Sequence, residues 1–335
     1  MCPTAISVHS SAVTRALPRL FLGLALAALA VQLYRTFLQL AAFRTFALTV
    51  VSLCLEALPF LVLGAVAATA VRRYLPAGAL ARIARRAGPV GIPVAALGGL
   101  VAPVCECAIV PTVAGLRERG LPLPYAITVL VSVPLINPVV VASTLAAFPG
   151  RPDLVLARFA GGFAVAVGTG LVFTVATRRQ APPAVSGHRV EVAPIDPASA
   201  RRGLVALATG TVDEFLEISR YFVVGAVLSA LVQVLVPTGA FAAVGSSVLA
   251  AGAAAIVFAF VLSVCSEADA FVGKAFLPLL PAPAIVAFLV FGPMLDLKNA
   301  AMLHRVVTPR QLALLAITLT VLVLALTMIL GGLWN

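Results

Sequence analysis

Charge is scarce in this chain. Asp, Glu, Lys and Arg make up 10% of 335 residues, against about 25% in soluble domains. With hydrophobic residues at 62% and a mean hydropathy of +1.12, that excludes a soluble domain and leaves a membrane protein. Lysine is almost missing, because 21 of the 23 basic residues are Arg. The arginines gather at the ends of apolar segments, so the net charge of +11 marks membrane edges and not a nucleic-acid surface. Gly-rich phosphate loops, HExxH, GxSxG and nucleotide-binding motifs are absent, which argues against ATP-driven transport by this chain alone. Five cysteines, with Cys105 and Cys107 separated by one residue, form no secreted disulfide pattern. Long polar stretches are missing too: the one present, Arg178 to Arg202, carries Pro182, Pro183, Pro194 and Pro197 and reads as a linker.

What is there is apolar length. Stretches near 20–34, 45–71, 123–148, 155–177, 204–236, 282–300 and 311–333 match a hydrocarbon core of about 30 Å, so the chain crosses the bilayer several times. Arg15 and Arg19 precede an apolar run ending Ala28-Leu-Ala30, which is like a signal peptide with its cleavage site. With so many spans downstream, an uncleaved first helix and a cytoplasmic N-terminus are expected.

The segments also repeat. Glu56-Ala-Leu-Pro-Phe, Gly64, Pro76, Cys105-Glu-Cys107, Leu121-Pro-Leu-Pro124 and Pro134-Leu-Ile-Asn137 are answered by Glu217-Ile-Ser-Arg-Tyr, Gly225, Pro237, Cys265-Ser-Glu267, Leu280-Pro-Ala-Pro283 and Pro293-Met-Leu-Asp296, at spacings of 159 to 161. This divides the chain into an N-terminal tail and first helix (1–44), repeat 1 (45–177), a cytoplasmic linker (178–203) and repeat 2 (204–335). The loop after the first opening helix holds Arg72, Arg73, Arg82, Arg85 and Arg86, whereas Pro237 to Ser247 holds no charge. If each cysteine region is a hairpin returning to its side of entry, Arg15/Arg19 and the basic segments 72–86, 117–119, 178–202 and 298–310 all fall inside. Each repeat then has three spanning helices and one cysteine-bearing hairpin, and the odd number inverts the second copy. That is the inverted-repeat plan of secondary transporters, with a site near the midplane.

The chemistry concentrates at the hairpins. Pro103 and Pro111 bracket Cys105-Glu106-Cys107, and the prolines free backbone carbonyls beside two soft sulfur ligands and a carboxylate. Thiolates favour Cu(I), Zn(II) and trivalent arsenic, and Cys265 with Glu267 and Asp269 supplies a second set. Cys54 and Cys2 read as a small apolar residue and a terminal one. That reading does not extend to Glu106 or Glu267, because an intramembrane carboxylate costs about 2.5–3.5 kcal/mol to insert. Glu56 and Glu217 are candidate coupling acids. Glu217 has Arg220 three residues on as a helical partner and Glu56 has none, so Glu56 is the better of the two. Asp213 and Glu214, following Thr211, match a capping box. Pro134, Pro138 and Pro293 should break their helices and place Asn137 and Asp296 beside exposed carbonyls. Lys298 pairs with Asp296 or, more commonly at a helix end, snorkels to the interface.

At Ala102-Pro-Val-Cys105-Glu-Cys107-Ala-Ile-Val-Pro111, Ser132-Val-Pro-Leu-Ile-Asn137-Pro138 and Val264-Cys265-Ser-Glu-Ala-Asp269-Ala-Phe-Val, the chain resembles the ArsP-like predicted permease family, which includes trivalent organoarsenical efflux permeases and related predicted metal exporters. The resemblance spans about residues 45–310 and implies an inner-membrane permease linked to metal or metalloid resistance. The expectation is therefore an all-α polytopic protein of the inner membrane. It exports a soft metal or metalloid through Cys105, Cys107 and Cys265, with the bilayer and that cargo as partners and no cofactor. A membrane thiol oxidoreductase, or a channel or assembly subunit with structural cysteines, is the alternative.

Overall fold

The structure is a computed structural model that describes residues 10–76, 78–101, 104–177, 200–235, 247–304 and 306–334. Pro103, Arg305, Cys2, residues 178–199 of the expected linker and Pro237 with its loop to residue 246 lie outside the described residues. The chain divides into two compact units, Met1–Thr49 and Val50–Asn335.

The described residues hold α-helices, one short 3-10 turn and no strand. α1 (Ser10–Tyr74) is followed by α2 (Ala79–Ala87), α3 (Gly91–Ala96), α4 (Gly98–Val101), α5 (Glu106–Glu118), α6 (Leu123–Ser132), α7 (Pro138–Ala147) and α8 (Pro152–Thr177). Then come α9 (Ala200–Leu235), α10 (Val248–Leu262), α11 (Asp269–Phe276), α12 (Ala282–Met294), α13 (Leu297–Leu303) and α14 (Pro309–Trp334). Among the described residues, five segments are long and apolar enough to cross a membrane: Ala42–Tyr74, Pro152–Thr177, Leu207–Val234, Ala282–Leu303 and Pro309–Trp334. The protein is an all-α, multi-pass membrane protein. The centre of the bundle is Ala282–Leu303, whose apolar window is 83% buried against 28% in Pro309–Trp334; the latter keeps a face for lipid.

Two expected spans are interrupted. Residues 123–148 form two ten-residue helices, α6 and α7, separated by turns at 133–137, and neither reaches the roughly 20 residues a crossing needs. Ala282–Leu303 is interrupted at Leu295 and Asp296. Both breaks are sealed alike. The Asn137 side chain accepts from the Val139 N–H at 2.9 Å, and the Asp296 carboxylate accepts from the Asn299 N–H at 2.6 Å, each capping the helix that restarts. The starts match as well: Pro122 and Pro281 precede α6 and α12, each with a second proline in the first turn, where its missing N–H costs nothing.

The helices around the cysteines are short: 13 residues in α5, 15 in α10 and 8 in α11. At about 1.5 Å per residue none traverses a hydrocarbon core of about 30 Å. Pro111 does not bracket the turn. It sits inside α5, where its ring leaves the Cys107 carbonyl without the usual donor four residues on.

Two glycines bring backbones together at these breaks. A Cβ on Gly64 would stand 2.7 Å from the Ala108 backbone, next to Cys107, and one on Gly225 would stand 2.7 Å from the Lys298 Cα. No side chain fits at either distance. A Cβ on Gly210 would meet Thr69 at 2.9 Å, while further along α9 Phe222 shares a pocket wall with Leu53 and Ala57. So α9 and the Val50–Tyr74 part of α1 run in opposite directions. Reporter fusions at α2 and in the 237–246 loop should therefore read opposite sides of the membrane, cytoplasmic for α2 with its three arginines. Reporters reading the same side would remove the inverted arrangement.

Candidate functional site

A cleft with about 290 Å³ of atom-free space, mouth included, opens where α1, α5, α9, the connection between α10 and α11, and the start of α13 meet. Its polar wall is Glu56, Cys105, Glu106, Cys107, Cys265 and Lys298; Leu53, Phe60 and Phe222 close the apolar side. All three hairpin cysteines thus face one pocket, drawn from both halves of the chain. Cys105 and Cys107 are buried free thiols and neighbour each other. The Cys265 thiol faces the Glu56 carboxylate, and Glu56 stands exposed at the mouth. The neighbour that Glu56 gains from the other half is thus the Cys265 thiol and not a cation. Among the described residues, no three His, Cys, Asp or Glu side chains are grouped to hold a metal ion.

The floor of the cleft is a network of buried charge. Glu106 is 1% and Lys298 2% exposed, so neither is a surface group. The Lys298 ammonium lies 3.0 Å from Glu106 Oε1 and 3.0 Å from Asp296 Oδ2, and donates to the Ser263 carbonyl at 2.7 Å. The Ser266 hydroxyl lies 3.5 Å from Glu106 and 3.2 Å from Glu267, one proton between two carboxylates. Glu106 in the first turn of α5 and Asp269 in the first turn of α11 complement the positive ends of their helix dipoles. Ser263 ends α10 with φ 49° and is the one described non-glycine residue in the left-handed region, a conformation costing about 1–3 kcal/mol. Its hydroxyl accepts from the Leu297 N–H and its carbonyl accepts from Lys298, contacts that hold the strained residue in place.

A second ion pair joins the halves. Arg158 on α8 is fully buried and donates to Asp269 at 2.7 Å, to the Ser266 carbonyl at 3.2 Å and to Thr144 on α7 at 2.8 Å. At the opposite end of α5, Arg72 binds Glu118 at 2.7 Å and Glu214 at 2.5 Å.

Several expected roles change. Asn137 and Asp296 are caps and lie off the pocket wall, although Asp296 reaches Lys298. Lys298 is not an interfacial residue, because two carboxylates hold it inside; removing it from the 298–310 segment reduces that segment's surface charge. Glu217 is half-buried on α9 and is not part of the wall. Glu267 stands behind the wall, against Ser266. Thr211 cannot cap, since α9 begins eleven residues earlier at Ala200; Glu214 is anchored by Arg72 instead. Pro134 lies in the 133–137 break, Pro138 opens α7, and Pro293 is inside α12, next to its last residue. Arg158, Ser263 and Ser266 were not anticipated. For Arg158 the signal was present, as a single arginine within the apolar run 155–177, where an ionisable group marks a function or a partner.

The family model described as "Predicted permease", of the ArsP type, matches residues 42–332. The chain is 31% identical over 286 residues to the UPF0718 protein YcgR of Bacillus subtilis, an alignment covering 84% of this chain and 95% of the relative. It is 34% identical over 263 residues to the "Putative two-component membrane permease complex subunit" of Streptococcus mutans, covering 75% and 83%. No solved structure matches it. The matched span takes in both broken helices, all three pocket cysteines and the buried charges beneath them, and on that extent of likeness the chain belongs to the predicted permease family.

Proposed function

We propose that this permease exports a soft metal or metalloid species across the bacterial inner membrane, driven by an ion gradient. The observation that supports it is the convergence of Cys105, Cys107 and Cys265 on one cleft, since thiolates select soft and borderline ions. A trivalent arsenical fits this chemistry: each arsenic–hydroxyl group exchanges with a thiol to give an arsenic–sulfur bond and water. The neighbouring pair Cys105 and Cys107 offers two such exchanges and Cys265 a third. Glu56, at the mouth and against Cys265, is placed to relay the Cys265 proton to the departing hydroxyl, which leaves as water.

Everted vesicles loaded with the protein and offered a panel of metals and arsenicals, with and without a proton gradient, test this. Wild type should accumulate a soft species against its gradient, and Glu56→Gln, which keeps the shape and removes the titration, should bind cargo but lose that accumulation. No soft species moved by wild type, or full gradient-driven export by Glu56→Gln, would sink the respective half of the reading. The name of the Streptococcus mutans relative raises a partner subunit, and flux from the purified single chain in liposomes tests whether one is needed.

A further inference from the structure

We infer that Glu106, Asp296 and the Ser263 carbonyl form a binding site for a hard monovalent cation, in which the Lys298 ammonium is a tethered occupant that a free cation displaces. The three acceptors converge on the ammonium at 3.0, 3.0 and 2.7 Å. All are oxygens, the ligand class that hard cations take, in contrast to the sulfur wall above. The cage is buried, with Glu106 and Asp296 1% and Lys298 2% exposed. Two carboxyl groups face one ammonium, and in such surroundings a cation is held strongly only where charges and geometry compensate. The backbone at Lys298 is pinned by Gly225, since even a Cβ there would clash at 2.7 Å. Displacement of the ammonium therefore moves the long side chain and not the backbone.

Glu106 links this cage to the thiol cleft. Its Oε1 faces the ammonium and its Oε2 faces Ser266, while the residues on either side of it are Cys105 and Cys107. A cation entering the cage takes over the ammonium's charge there, and the displaced Lys298 side chain, which lines the thiol cleft, then shifts positive charge relative to the cargo thiols, which is what coupling between two transported species requires. Calling the cation a coupling ion rests on the export reading; its binding does not.

Sodium is the probe, with choline at equal ionic strength as the control. Lys298→Met keeps both carboxylates and removes the ammonium, so the melting temperature of the purified protein in detergent should rise with NaCl. The half-maximal concentration should be at least tenfold below that of wild type. The triple variant Lys298→Met, Glu106→Gln, Asp296→Asn should not respond. In the wild-type protein the chain's two lysines give a second readout that needs no variant to fold. Acylation of Lys298 by an amine reagent, mapped by mass spectrometry, should rise several-fold with sodium over choline, while exposed Lys274 stays constant. Sodium-insensitive melting of folded Lys298→Met, or flat Lys298 acylation, overturns the inference. Neither readout uses cargo, so a sodium response without metal or arsenical flux would leave this site standing and remove the export reading.

Discussion

Arg158→Met should cost the folded protein about 3–5 kcal/mol, the penalty for removing one partner of a buried ion pair. Arg158 and Asp269 are 0% and 2% exposed and 2.7 Å apart, in a chain whose surroundings offer no water to a stranded carboxylate. The arginine also supplies hydrogen bonds to Thr144 and the Ser266 carbonyl, so its loss strips the Ser266 carbonyl as well as Asp269 of a donor, while Thr144 keeps its own bond to the Val140 carbonyl. The pair is not optimal: Arg158 Nε and Asp269 Oδ1 have no hydrogen-bond partner among the described residues. An apolar pair should therefore replace it well. Arg158→Met with Asp269→Leu should recover most of the lost stability, since such exchanges are often neutral or stabilising. Reversible unfolding in mixed detergent micelles, comparing the two single variants with the double, makes the measurement. A single variant within about 1 kcal/mol of wild type would show that the charge is not stranded. A double variant no better than the singles would assign the cost to packing.

The fold was legible where one residue type sufficed to dictate local structure. Asn137-Pro138 and Pro293 with Asp296 announce helix breaks, because proline removes a donor and a short polar side chain can cap the restart; the structure breaks there. The thiol site was legible for the same reason, as Cys105, Glu106 and Cys107 are out of place in apolar sequence whatever surrounds them. Lys298 was not. Beside a basic segment it reads as interfacial, and it is the carboxylate of Glu106, from the other half of the chain, that joins Asp296 and the Ser263 carbonyl in making its burial tolerable. Glu214 misled for a related reason: Thr211 and Glu214 have the spacing of a helix start, but the helix continues back to Ala200 and the acid answers to Arg72. Pro111 shows the limit of the breaker rule, since α5, packed through Gly64 and Gly115, continues through it. In each case the deciding energy comes from a long-range partner that local pattern does not encode.

Cys105→Ser and Cys107→Ser should each bring export of a soft species down to background, because serine keeps the volume and is a poor ligand for soft ions. Position 105 makes the test unusually clean. Cys105 is the N-cap residue of α5, with extended backbone and no side-chain capping bond, at a place where serine is among the most favoured residues and adds about 1 kcal/mol over non-capping ones. A chain selected for stability alone would carry serine there. Cys105→Ser should thus melt at or above the wild-type temperature while losing transport, which separates the two roles in a single variant. Cys265→Ser should also lose export, by removing the thiol that faces Glu56 from the other half. The measurement is uptake into everted vesicles at matched protein levels, beside a thermal melt of each purified variant. Normal uptake by both hairpin variants would return these cysteines to small buried apolar residues. The carboxylates beneath them would then be left as the only candidates for holding what the permease carries.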